Sequence, residues 1–120
     1  MTEQEGRELA EAFVAAKNAK DVKGTLALCA DDIEYAGILV FKLTGDQTGT
    51  LAGKDSVGRF LTKLYDQADD GSQMRVGRLG IGTRSVVFET TVWGMIQVFV
   101  VLVANPQGKI SKVLVHQEVR

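Results

Sequence analysis

The N-terminal part of the chain carries its apolar positions at a helical period. Over residues 3–19, Leu9, Phe13 and Ala16, with Ala12, fall on one stripe, and Glu8, Glu11 and Lys17 fall on the opposite side. Thr2 and Glu5 have the spacing of a capping box, in which each side chain accepts from an N–H that the first helical turn leaves unbonded. The pattern breaks at Asn18-Ala-Lys-Asp21, and Asp21 caps a second short helix holding Val22, Leu26 and Cys29. A third helix is predicted over residues 55–67, where Val57, Phe60, Leu61 and Leu64 recur at helical spacing. Between the second and third helices, Ile33-Glu34-Tyr35 and Ile38-Leu39-Val40-Phe41 read as extended. The Gly- and Thr-rich stretch 44–53 reads as a loop.

After Gly71 the period changes to that of strands. Residues 73–82, 86–93, 96–105 and 109–119 are β-branched, aromatic-bearing runs separated by turn residues. Asn105-Pro-Gln-Gly108 is the clearest hairpin turn, with proline early and glycine late. Helices first and a four-stranded antiparallel meander after them predict an α+β domain, with helices packed on one face of a bent sheet. The run Ile96-Gln-Val-Phe-Val-Val-Leu-Val103 is apolar on both faces and reads as a central strand covered on both sides. The helices supply one cover. Phe99, Val101 and Val103 need another, from homodimerisation through the outer sheet face or from a loop or the Ile38–Phe41 segment folded across it.

Composition fits one domain spanning residues 1–120. The 45% hydrophobic and 24% charged content is that of a folded globular chain. A net charge of −1, with Arg75, Arg78 and Arg84 spread among glycines, gives no basic patch for nucleic acid or an anionic membrane. The acidic N-terminal segment is unlike a signal peptide and no apolar run is long enough to span a bilayer, so a cytoplasmic protein is expected. Cys29, among apolar neighbours, reads as a buried small hydrophobe. One histidine, one cysteine and no convergent carboxylates argue against a metal site, and no cofactor is implied. Asp31-Asp32 and Asp69-Asp70 read as caps and turn residues. Gly77, Gly80 and Gly82 precede no helix and do not make a phosphate cradle.

Four segments in order resemble the nuclear-transport-factor-2-like superfamily, which includes the ketosteroid isomerases and SnoaL-like polyketide cyclases. They are Phe13-Val-Ala-Ala-Lys-Asn-Ala-Lys-Asp21, Leu26-Ala-Leu-Cys-Ala-Asp-Asp-Ile33, Leu51-Ala-Gly-Lys-Asp-Ser-Val-Gly-Arg-Phe60 and Gln107-Gly-Lys-Ile110. The resemblance implies a cone, in which a curved, mostly antiparallel sheet wraps around the N-terminal helices. It also implies a ligand-sized cavity inside the cone and dimer contacts on the outer sheet. It does not imply a reaction, because the superfamily hosts isomerases, cyclases, dehydratases, epoxide hydrolases and non-catalytic adaptors. The steroid isomerase constellation in particular is missing: its helix tyrosine falls at Phe13, its base at Gly37 and its central-strand acid at Val100. None of these can donate to an oxyanion or take a proton.

Within that frame the candidate ligand contacts are Phe13, Tyr35, Phe60, Trp93, Val100 and Gln117, and the candidate catalytic pair is Glu89 with Tyr35. With Ile33 and Gly37 facing inward, Tyr35 also lies inside, as a polar handle or as an ordinary core tyrosine. Glu89 depends on the register of residues 86–93. A family-like placement turns Val87, Glu89, Thr91 and Trp93 inward and makes Glu89 a desolvated acid or base. Simple amphipathicity points Val86, Phe88, Thr90 and Val92 to the core and leaves Glu89 in solvent. His116 falls with Lys112, Leu114 and Glu118 on the face opposite Val113, at the rim or a dimer contact; it reads as a solvated histidine, and if it shares a site with Glu118 a pH-dependent interface is a more natural role than catalysis. Three functions fit: a cofactor-independent enzyme acting on a small apolar substrate, a non-catalytic ligand carrier, and a dimeric interaction module with a filled cavity.

Overall fold

The computed structural model describes residues 1–119. The capping box closes as the sequence predicts: the Thr2 hydroxyl accepts from the Glu5 N–H at 3.1 Å and the Glu5 carboxylate accepts from the Thr2 N–H at 2.8 Å. Helix α1 (Glu3–Asn18) starts there, and Asp21 caps α2 (Val22–Ala27) by accepting from the Gly24 N–H. The buried stripe of α1 is Gly6, Ala10, Phe13, Val14 and Lys17, at the i, i+3, i+4, i+7 spacing. It is rotated from the expected stripe, because the alanines scattered around this helix leave its apolar face poorly defined. The rotation brings Lys17, expected on the polar side, into the interior.

Strand β1 (Cys29–Gly37) follows at once, so Cys29 opens a strand instead of ending the second helix. The Ile38-Leu-Val-Phe41 run is not extended. It begins helix α3 (Ile38–Thr44), which gathers Leu39, Val40 and Leu43 on the side facing the core. A four-residue apolar run cannot separate the two periods by itself. Gly45, at φ 75°, ends the helix in the left-handed conformation, with its N–H bonded to the Phe41 carbonyl at 2.8 Å. The stretch read as a loop contains the short strand β2 (Thr50–Ala52), and helix α4 (Lys54–Gln67) then runs as expected.

The remaining strands are β3 (Leu79–Ile81), β4 (Ser85–Val92), β5 (Ile96–Ala104) and β6 (Ile110–Val119). Among the described residues, four helices pack with one six-stranded sheet ordered β2-β1-β6-β5-β4-β3. The pairs are antiparallel except β1–β6, which is parallel. Register shifts in the β1–β6 pair between Cys29 and Glu34, and in the β5–β6 pair between Val103 and Ala104, accompany the curvature of the sheet. Its concave face carries Ile33, Tyr35, Val86, Phe88, Val92, Val98, Val100, Leu102 and Val113 into the core with Phe13, Val57, Phe60 and Leu61 of the helices.

Only the end of the expected 73–82 strand pairs as a regular strand. Upstream of it the chain is held by side chains: Asn18 donates to the Met74 carbonyl at 2.8 Å and accepts from the Met74 N–H at 2.9 Å, and Thr90 Oγ1 accepts from the Arg75 N–H at 3.1 Å. Gly77 then passes against β4. Its N–H bonds to the Glu89 carbonyl at 2.9 Å, and a Cβ there would sit 2.5 Å from that same oxygen. Backbone cannot retreat as a flexible side chain can. Gly77→Ala is therefore expected to lower stability by about 1–3 kcal/mol, read as a lower denaturant midpoint at unchanged m.

Candidate functional site: an apolar chamber with two buried donors

Helices and sheet do not close completely on each other. A chamber of about 150 Å³ remains between them, walled by Phe13 of α1, Leu39 and Leu43 of α3, Leu64 of α4 and Val98 and Val100 of β5. Helix α3 therefore borders the chamber, and it does not fold over the outer sheet face. The mouth lies where the exposed side chains of Gln67 and Trp93 border the chamber, with half-buried Ala68, Met74 and Gln117 and buried Ser72 also in the lining.

Tyr35 projects from β1 into this chamber and is 7% exposed. Its ring is fixed by Phe60, with centroids 5.0 Å apart and planes tilted by 55°. Its hydroxyl makes no hydrogen bond to another described residue, yet none of the described residues has a fully buried polar side-chain atom without a partner. The hydroxyl therefore opens onto the space Tyr35 borders, which is the chamber and a small void beside it. Burial pushes its pKa well above the usual phenol value, with Tyr65 and Cys29 adding to the rise, so it is a proton donor throughout the neutral range. Tyr65 differs. Its hydroxyl shares a hydrogen bond with Thr25 Oγ1 at 2.9 Å, and burial moves its pKa up to about 12 against the opposing pull of that bond.

The second buried donor is Lys17, 8% exposed and lining the same chamber. Its ammonium donates to the Ser72 carbonyl and reaches the Ser72 hydroxyl at 3.5 Å. Burial depresses its pKa; Asp69 acts in the opposite sense and Lys20 reinforces the depression. Ser72 belongs to a single 3₁₀ turn, Asp70–Ser72, whose N-cap Asp69 accepts from the Ser72 N–H at 3.1 Å. The same Asp69 oxygen accepts from Trp93 Nε1 at 2.8 Å, and the Trp93 N–H bonds to the Gly71 carbonyl at 2.8 Å. Trp93 sits at φ 51°, a conformation that costs a bulky residue roughly 1–3 kcal/mol, and these two bonds hold it there. The mouth is thus one connected network from Lys17 through Ser72 and Asp69 to Trp93.

Of the expected ligand contacts, Phe13, Tyr35, Trp93, Val100 and Gln117 border the chamber. Phe60 stands behind Tyr35 and borders a separate void of about 10 Å³, at the limit for one water. Glu89 is elsewhere. Strand β4 buries Val86, Phe88, Thr90 and Val92, so the amphipathic register holds and the inward placement of Glu89 does not. Glu89 lies on the outer face, paired with Arg78 and accepting from Gln97 at 3.0 Å. It does not meet Tyr35, because alternate residues of a strand face opposite ways. Sequence reading missed Lys17, for which the signal was its place four residues after Phe13, and Asp69, whose aspartate-turn pattern gave no hint of the tryptophan it bonds. His116 is on the outer face, 3.0 Å from Glu118. Cys29 is buried and its thiol is pushed up to about 11 by desolvation, which leaves it protonated and unreactive.

The contrast between the two tyrosines is measurable. Tyr35→Phe removes a hydroxyl that has no protein partner and is expected to change stability by less than about 0.5 kcal/mol or to raise it. Tyr65→Phe removes one hydrogen bond from Thr25, whose hydroxyl keeps its bond to the Asp21 carbonyl at 3.0 Å, and is expected to cost about 1 kcal/mol, both by chemical denaturation.

No protein-family model and no curated protein matches the chain by sequence. Solved structures do. A SnoaL-like protein of unknown function from Burkholderia thailandensis superposes with a TM-score of 0.86 at 21% identity, over 98% of each chain. An epoxide hydrolase/cyclase-like enzyme, SalBIII, of pyran ring formation in salinomycin gives 0.71 at 15% identity, over 97% of this chain and 92% of that one. An LEH-like epoxide hydrolase of M. tuberculosis gives 0.69 at 18% identity, over 96% and 84%. With the helix-lined concave sheet, these likenesses establish that the chain has the SnoaL-like fold.

Proposed function

We propose that this chain binds a small, apolar, ring-bearing ligand in the chamber behind Trp93. The observation that carries the reading is the Tyr35 hydroxyl, buried, protonated and without a protein partner, facing a space walled by aliphatic and aromatic carbon. Such a site fixes a ligand by burial and orients it by one donated hydrogen bond. A chamber of about 150 Å³ is matched by a single ring, since an engineered apolar cavity of that size in another protein takes up benzene. Any proton transfer performed there would fall to Tyr35 and Lys17, because the outward Glu89 leaves no carboxylate in the lining. Ligand binding without turnover is accordingly favoured over an acid–base enzyme.

The single tryptophan lies at the mouth, so its fluorescence reports occupancy directly. Toluene is expected to change Trp93 emission and raise Tm. Val100→Phe, which fills the chamber, is expected to abolish both effects while keeping the native circular dichroism. No response to toluene or other alkylbenzenes in the unmodified protein would make the chamber a packing feature. A 3-keto-5-ene steroid is expected to give no turnover, because Phe13, Gly37 and Val100 carry neither donor nor base.

A second reading concerns the outer sheet face, where the cross-strand row Val87, Val101, Leu114 and Ala36 runs over four strands. Val87 and Leu114 are 39% and 42% exposed, and Phe99 and Val103 flank Val101 along β5. We propose that a second copy covers this row, since a self-complementary apolar strip is what a two-fold contact needs. The protein is expected to sediment as a dimer and Val101→Lys as a monomer. A monomeric unmodified protein at tens of micromolar would exclude it.

A further inference from the structure

Among the described residues the chamber lining carries one charge, and nothing among them fully answers it. Lys17 continues the buried stripe of α1, so its position is fixed by the same packing that fixes Phe13. An ammonium has three hydrogens to donate. The Ser72 carbonyl takes one and the Ser72 hydroxyl, at 3.5 Å, offers a weak second partner. Among the described residues Lys17 enters no ion pair within 4.0 Å. The charges that act on it are Asp69, whose carboxylate is already bonded to Ser72 and Trp93, and the like-charged Lys20. A desolvated cation with partial compensation is costly, and a hydrophobic residue at this place in the stripe would avoid that cost.

We propose that the chamber selects an anionic single-ring ligand, an aromatic or cyclic monocarboxylate whose carboxylate pairs with Lys17 while its ring fills the apolar space. The inference rests on the ligand-binding reading and names the ligand class. Tyr35 supplies a second, neutral donor on the lining of the same chamber, so an anion seated there meets one cation and one phenol and no carboxylate of the lining. One cation among carbon walls suits a monoanion, whereas a phosphate dianion would carry an uncompensated charge inside. The chamber volume admits one ring. The pairing requires protonated Lys17. Burial lowers the pKa of Lys17 while it raises that of Tyr35, so alkaline pH removes the ammonium before it ionises the phenol.

The test compares benzoate with its neutral isosteres benzamide and toluene, by calorimetry and Trp93 fluorescence, on the unmodified protein and on Lys17→Met. Benzoate is expected to bind the unmodified protein at least about tenfold more tightly than benzamide, the size of one charge-assisted hydrogen bond. Its affinity is expected to fall as pH rises through the lowered pKa of Lys17, with toluene unaffected. Lys17→Met is expected to lose the preference and still bind toluene. Equal binding of benzoate and benzamide, or a preference that survives in Lys17→Met, overturns the proposal while toluene binding keeps the chamber as a ligand site. If none of the three binds, both readings fall. Should Lys17→Met not fold, the benzoate-to-benzamide ratio and its alkaline loss in the unmodified protein decide the matter.

Discussion

Strand β5 pairs along its whole length with β4 on one side and β6 on the other, and the facing of the sheet follows from that double register. Val98, Val100 and Leu102 point to the helices, so their partners Thr90 and Gln117, Phe88 and Val115, and Val86 and Val113 share the concave face. A slip of one residue in β4 would exchange Val86 and Phe88 for Val87 and Glu89. It would bury a carboxylate and expose two fully buried side chains, a difference of several kcal/mol. The same pairing turns Gln117 towards the chamber and His116 away from it. What the interior can do chemically is therefore set by strand register.

The mouth shows a different balance. Lys17 is buried at an electrostatic cost, Trp93 is held at a strained backbone angle, and the 3₁₀ turn is tied to both. Because the folded-state pKa of Lys17 lies below its unfolded value, the unfolded chain binds more protons in the window between the two. Stability from this group accordingly rises with pH across that window and is lowest where the lysine is charged in both states. A fold optimised for stability alone would place an aliphatic residue there. Features that cost stability and converge on one opening belong to a site more naturally than to a core.

The fold sets a curved sheet against helices and leaves the enclosed space to be furnished by a few side chains. Hydrolase, cyclase-like and uncharacterised proteins with this frame align over most of the chain at 15–21% identity, so the frame persists while its contents differ. Here the described lining holds the buried donors Tyr35 and Lys17 with Gln67, Ser72 and Gln117, no carboxylate, and space for one ring. Strand β5 is apolar on both faces, which lets one side serve the chamber and leaves the other as an exposed strip.

Local chemistry made much of this legible in the sequence. The capping box at Thr2 and Glu5, the Asp21 cap, the α4 stripe, the Asn105–Gly108 turn and the alternation that puts Tyr35 on the same face as Ile33 all depend on neighbours within a few residues. The order of helices and strands and the four resembling segments were enough for the fold class. Other features needed tertiary structure. Four apolar residues at Ile38 fit a strand or a helix, and packing against α4 and β1 chose the helix. The alanine-rich surface of α1 left its rotation open until the sheet fixed it and carried Lys17 inside. Glu89 had two available faces until β5 supplied the register. The Asp69–Trp93 bond joins residues 24 apart through a turn and a hairpin. Periodicity states which residues share a face, since that is set by backbone geometry along one element. Which face meets the interior is a free-energy difference between alternative packings, and only the assembled chain determines it.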